Sequence, residues 1–103
     1  MTELEKQIAV ARLYGYEIDG ETATYQDMDE SISGSCHVSD LYIMRDPDIL
    51  KGLLDQYDLQ IWEDISSNMY LATEDGKKFI SNGQTYYDKV FNALAEASKH
   101  ILA

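Results

Sequence analysis

Residues 69–102 read MYLATEDGKKFISNGQTYYDKVFNALAEASKHIL, and the change of periodicity inside them decides the fold. Up to Ser81 the stretch is β-prone and short-period, with Met69–Thr73 and Lys77–Ser81 flanking Glu74-Asp75-Gly76, a hairpin turn. Asn82-Gly83 ends that run. From Thr85 the period becomes helical: Tyr87, Val90, Phe91, Leu94, Ala97 and Ile101 fall on one stripe. Thr85 with Asp88 imitates a capping box, and Lys99 and His100 suit the negative end of the helix. Strand, strand, helix in that order predicts an antiparallel meander covered by a terminal helix.

Upstream, LQIWEDISSN supplies another strand, with Leu59, Ile61 and Glu63 on one face and Trp62 on the other. RDPDILKGLLDQY is a helix. Asp46 is its N-cap, Pro47 its first turn, and Ile49, Leu50, Leu53 and Leu54 its apolar face. Gly52 inside it predicts a close packing partner. At the start, Thr2 with Glu5 forms a capping box, Leu4, Ile8 and Ala11 share a face, and Gly15 stops the helix. Asp19-Gly20 then predicts a hairpin between Tyr16–Ile18 and Glu21–Tyr25. Residues 26–40 read as irregular, and HVSDLYIM (37–44) as a third strand. The expectation is one α+β domain over residues 1–103, three helices packed on a small antiparallel sheet built from a hairpin and a meander.

Charge is the main functional hint. Nineteen acids against eight bases leave a net charge of −11. Residues 13–76 hold fifteen acids but only Arg45 and Lys51, while the two ends together are slightly basic. Such a field repels nucleic acid and anionic membranes and attracts basic surfaces. A single cysteine forms no internal disulfide, MTELEKQIAV has no signal-peptide character, and no apolar run suits a membrane span, so a cytoplasmic protein is expected.

Catalytic and metal motifs fail on spacing. Asp27, Asp29 and Ser31 begin like a calcium loop, but Ile32 stands where glycine is needed and Val38 where a glutamate should be. Cys36 and His37 are neighbours, which an extended chain points to opposite faces, so they are not a nucleophile–base pair. With His100 they lack zinc spacing. Lys77-Lys78 is the only basic doublet, too little for direct nucleic-acid binding. No enzyme activity, cofactor or metal is expected. Eight tyrosines (14, 16, 25, 42, 57, 70, 86 and 87) exceed what a small core needs, and tyrosine suits protein interfaces.

LEKQIAVARLYGYE (4–17), DPDILKGLLDQYDLQIW (46–62) and the stretch quoted first resemble the phage ABA sandwich domain family in element order and hydrophobic pattern. That family has tryptophan after the first glycine, where Tyr16 stands here. It has a tyrosine-serine pair before the second helix, where this chain has Arg45-Asp46-Pro47. The resemblance implies a small phage or prophage accessory protein and carries over no catalytic residue. Together with the acidic block it implies an inhibitor of anti-CRISPR or anti-restriction type, acting as a nucleic-acid mimic on a basic, nucleic-acid-binding host protein. The partner-binding residues expected are Glu17, Asp19 and Glu21 at the first hairpin and Asp27, Asp29 and Glu30 after it. Glu63, Asp64, Glu74 and Asp75 form a second group. The alternative is a module or homo-oligomer that binds through tyrosines and an apolar sheet face.

Overall fold

The computed structural model describes residues 2–26 and 33–102 and shows an α+β fold. Helix α1 spans Glu3–Tyr14 and begins in the expected capping box: the Glu5 amide donates to Thr2 Oγ1 at 3.1 Å, and the Thr2 amide to Glu5. Gly15 closes it at φ 119°, where its amide reaches the Ala11 and Arg12 carbonyls. Strands β1 (Glu17–Asp19), β2 (Thr22–Gln26) and β3 (Ser33–His37) form one antiparallel sheet, in that order. Helix α2 is Pro47–Gln56, capped by the Asp46 carboxylate on the Asp48 amide at 2.8 Å. Strands β4 (Gln60–Glu63), β5 (Met69–Ala72) and β6 (Lys78–Ser81) form a second antiparallel sheet, and α3 runs Tyr86–Ile101. The single sheet expected from sequence is therefore two.

Two local readings are corrected. The first hairpin turns at Gly20-Glu21, one residue later than expected, because Asp19 pairs with Thr22. Gly20 at φ 59° fills the first central position, the glycine site of a type II′ turn. The shift aligns Ile18 with Ala23 and Cys36 on one face, where the expected register would have set Ile18 beside Glu21. The second correction concerns residues 33–45. Residues 33–37 are a strand, and 38–45 are a 3₁₀ helix where HVSDLYIM suggested a strand. The buried residues there are Val38, Leu41 and Met44, three apart. A period of three stacks them along one face of a 3₁₀ helix; a strand would have alternated them.

The core is organised by α3. Val90, Phe91, Ala93, Leu94, Ala95 and Ala97 are all fully buried, so the helix is enclosed on more than the stripe its sequence predicts. It packs against α1 on one side and against β5 and β6 on the other. The alanines let both neighbours approach closely. The first sheet sits against α1 and the 3₁₀ segment, and the molecule measures 44 × 25 × 24 Å.

Gly52 is exposed and a Cβ there would meet nothing within 4 Å, which overturns the packing partner expected for it. A Cβ on Gly83 would instead come within 2.9 Å of Asp88 Cβ. Gly52→Ala is therefore expected to stabilise the protein by ~0.5–1 kcal/mol, the helix-interior cost of glycine. Gly83→Ala is expected to destabilise it by ~1–3 kcal/mol through overpacking. Urea unfolding of the two variants checks both signs.

Candidate acidic interface

Sheet register decides which carboxylates share a surface. In the first sheet, Ile18, Ala23 and Cys36 face inward. The opposite face carries the rows Glu17–Thr24–Ser35 and Asp19–Thr22–His37, all exposed. Glu17 and Asp19 thus stand side by side with Cα atoms ~7 Å apart. Among the described residues neither carboxylate meets a cation or accepts a side-chain hydrogen bond. Glu21, in the turn, lies 3.3 Å from His37 Nε2. His37 Nδ1 accepts the Ser39 amide at 3.1 Å, which caps the 3₁₀ segment and leaves Nε2–H to face Glu21. Cys36 and His37 do point to opposite faces. Asp27, Asp29 and Glu30 lie outside the described residues.

The second group does not converge. Glu63 lies on the helix-facing side of β4 and accepts from Lys89 Nζ at 3.1 Å, where the lysine is 8% exposed. Asp64 holds the β4–β5 loop. Its Oδ1 accepts the Ser66 and Asn68 amides at 2.8 and 3.0 Å, and its Oδ2 the Tyr70 hydroxyl at 3.0 Å. Glu74 and Asp75 sit in the β5–β6 turn, at the far end of the sheet and ~13 Å away along β5. Asp75 accepts from Thr73 and lies 2.8 Å from His100 Nε2. Of this group only Glu74 makes no ion pair or side-chain hydrogen bond among the described residues.

The His100–Asp75 contact joins residues 25 apart and was not foreseen, since nothing local in the sequence relates the two. It borders a shallow depression of about 370 Å³ lined also by Tyr57, Leu59, Glu74 and Ile101. The hydroxyls around it are engaged: Thr73 donates to Asp75, and Tyr57 to the Leu13 carbonyl at 2.8 Å. Among the described residues, no three His, Cys, Asp or Glu side chains converge as a metal site would require.

The bases of the acidic block are occupied elsewhere. Arg45 contacts Glu3, lies 3.9 Å from Asp88 and stacks 4.2 Å over the Phe91 ring. Lys51 lies 5.8 Å from the Tyr87 ring centroid. Neither is placed against the acids of the first hairpin.

A second exposed surface is aromatic. The outer face of the second sheet carries Trp62, Tyr70 and Ile80 in one row and Gln60, Ala72 and Lys78 in the next. Trp62 and Tyr70 stack at 5.6 Å with planes 8° apart, and Ile80 is 62% exposed. The chain matches no family model, no curated protein and no solved structure. Among the described residues no helix is long and apolar enough to cross a membrane.

Two predictions follow from these pairings. Glu63→Ala, which strands the Lys89 ammonium in a nearly buried site, is expected to cost ~1–3 kcal/mol, and Lys89→Met less, in chemical unfolding. The second concerns acid. Asp64 is held below its ordinary pKa by the Asn68 amide first, and Asp75 by the Thr73 hydroxyl first and then His100. Folded values lowered this way add stability that is present above the ordinary value of 3.8 and lost as pH falls through the lowered ones. Thermal stability should therefore drop below about pH 4, and Asp64→Asn should make that drop shallower.

Proposed function

We propose that this chain is a small acidic accessory protein of phage type that binds a nucleic-acid-binding host or defence protein and blocks it. In this reading it acts by charge and shape, with no catalytic step, cofactor or direct contact with nucleic acid. The observation that carries the reading is the outer face of the first sheet. Glu17 and Asp19 are aligned there with Glu21 beside them, among hydroxyl side chains, and the two bases of the acidic block are tied to other partners. A nucleic-acid channel is lined with Lys and Arg because duplex DNA carries a charge every ~1.7 Å. A rigid strand with projecting carboxylates gains from the same field and associates fast.

A second reading, a protein-interaction module that does not mimic nucleic acid, is favoured by the exposed Trp62–Tyr70–Ile80 row. The two differ in which substitution matters. Immobilised protein, incubated with host lysate, should retain a basic nucleic-acid-binding protein that added duplex DNA or RNA displaces. Glu17→Gln with Asp19→Asn should reduce that retention roughly tenfold, since charge pairs across such interfaces are worth ~1.5 kcal/mol or more in favourable cases. Retention that ignores both the nucleic acid and the double substitution would reject mimicry.

A further inference from the structure

We infer that Asn82-Gly83 is a site of spontaneous deamidation and chain isomerisation, a slow chemical clock set in the joint between β6 and α3. The inference is independent of the proposed function, since it uses neither exposed sheet face. Asn82 is exposed and its side chain folds back along the chain: the Gly83 amide donates to Asn82 Oδ1 at 2.7 Å. The Gly83 nitrogen therefore lies beside Cγ, the carbon that carries this oxygen. Nδ2 is held only at 3.4 Å, by Asn68 Oδ1 on an exposed surface, so the leaving group has open access to water. When the Gly83 nitrogen loses its proton to hydroxide, it attacks Cγ. The N–Cγ bond forms, the Cγ–Nδ2 bond breaks, and Nδ2 takes a proton from water and leaves as ammonia, restoring the hydroxide. The product is a five-membered imide, and one water opens it. Opening at Cγ leaves aspartate in an ordinary chain. Opening at the main-chain carbonyl leaves isoaspartate, with the chain rerouted through Cβ and Cγ.

The surroundings single out this residue. The chain has two other asparagines, 68 and 92. Asn68 precedes Met69, which is paired on both sides in the second sheet, and Asn92 precedes Ala93 inside α3, so neither following amide is free to turn toward the side chain before it. Asp19 and Asp75 also precede glycines, but a carboxylate has no ammonia to lose, and the Gly76 amide donates to the Thr73 carbonyl at 2.9 Å. Packing keeps the reactive pair in place. A side chain on residue 83 would shield the nitrogen, yet a Cβ there would come within 2.9 Å of Asp88 Cβ and 3.3 Å of the Lys89 nitrogen. The close approach of α3 thus demands glycine beside Asn82. The same crowding makes isoaspartate damaging, because it adds one atom to a main chain held at both ends. On one side the Ser81 hydroxyl donates to the Lys89 carbonyl at 2.6 Å, and the Asn82 carbonyl accepts from Asn92 Nδ2 at 2.9 Å. On the other, Gly83 is pressed against Asp88. The extra atom displaces β6 from α3, the helix that organises the core.

The test ages the folded protein in mildly alkaline buffer beside a synthetic peptide of residues 79–86, with peptide mapping by mass and an isoaspartate assay. A growing, more acidic species should map to residue 82 and contain isoaspartate, while Asn68 and Asn92 stay amides. Because the fold holds the Gly83 nitrogen against the Asn82 side chain, the protein should react at least as fast as the peptide. Asn82→Gln, whose longer side chain would have to close a larger ring, should stop the acidic species from forming. The isoaspartate fraction, separated by anion exchange, should unfold at a lower urea concentration than fresh protein. Asn82→Asp, which adds the charge without the detour in the chain, should unfold where fresh protein does. A protein that reacts severalfold more slowly than the peptide, or that is modified at Asn68 or Asn92 instead, overturns the site. Isoaspartate protein as stable as fresh protein overturns the clock.

Discussion

Helix α3 is the constraint on which the rest depends. Its Val90, Phe91, Leu94 and three alanines leave no solvent-facing apolar surface, so the helix is stable only between two other layers. Leucine-sized residues at Ala93, Ala95 and Ala97 would hold α1 and the second sheet apart. Polar groups carried into this layer are satisfied locally. Lys89 reaches Glu63, and its carbonyl accepts the Ser81 hydroxyl at 2.6 Å. Arg45 lies flat on Phe91 and joins the 3₁₀ segment to both α1 and α3 through Glu3 and Asp88.

Because the helices absorb the apolar inner faces of both sheets, the outer faces are left to differ. The first is hydroxyl and carboxylate; the second is aromatic and aliphatic. Keeping Glu17 beside Asp19 costs the fold little. At ~7 Å in water-like surroundings two unit charges repel by about 0.6 kcal/mol before salt screening. The same pair brought against a desolvated cationic surface would be worth more than that, so the arrangement costs the free protein little and suits the proposed complex.

The helices were legible in the sequence because their signals are local: Thr2 with Glu5, Asp46 with Pro47, and Thr85 before the apolar stripe all stand at the observed ends. The strands of the meander were legible for the same reason. What escaped depended on which elements meet. Val38, Leu41 and Met44 mark a 3₁₀ helix only once their common burial is known. The hairpin slipped by one residue because Asp19-Gly20 and Gly20-Glu21 are both acceptable turns, and the inward set of Ile18, Ala23 and Cys36 selects the second. In the candidate site, alternation along β1 already placed Glu17 with Asp19. That Glu63 is spent on Lys89, 26 residues away, and Asp75 on His100 could not be read from spacing. Acid-rich sequence thus overstates the number of unpaired surface carboxylates, since some are engaged within the fold.

The most direct test of the charged face is the affinity of the protein for the basic partner proposed for it, measured across a range of salt. Steering and binding by the first sheet predict that affinity falls steeply as salt rises, and that replacing Glu17 and Asp19 with their amides makes this dependence weaker. An affinity indifferent to salt, or a dependence that the double substitution leaves unchanged, would contradict the assignment and move the interface to another surface of the molecule.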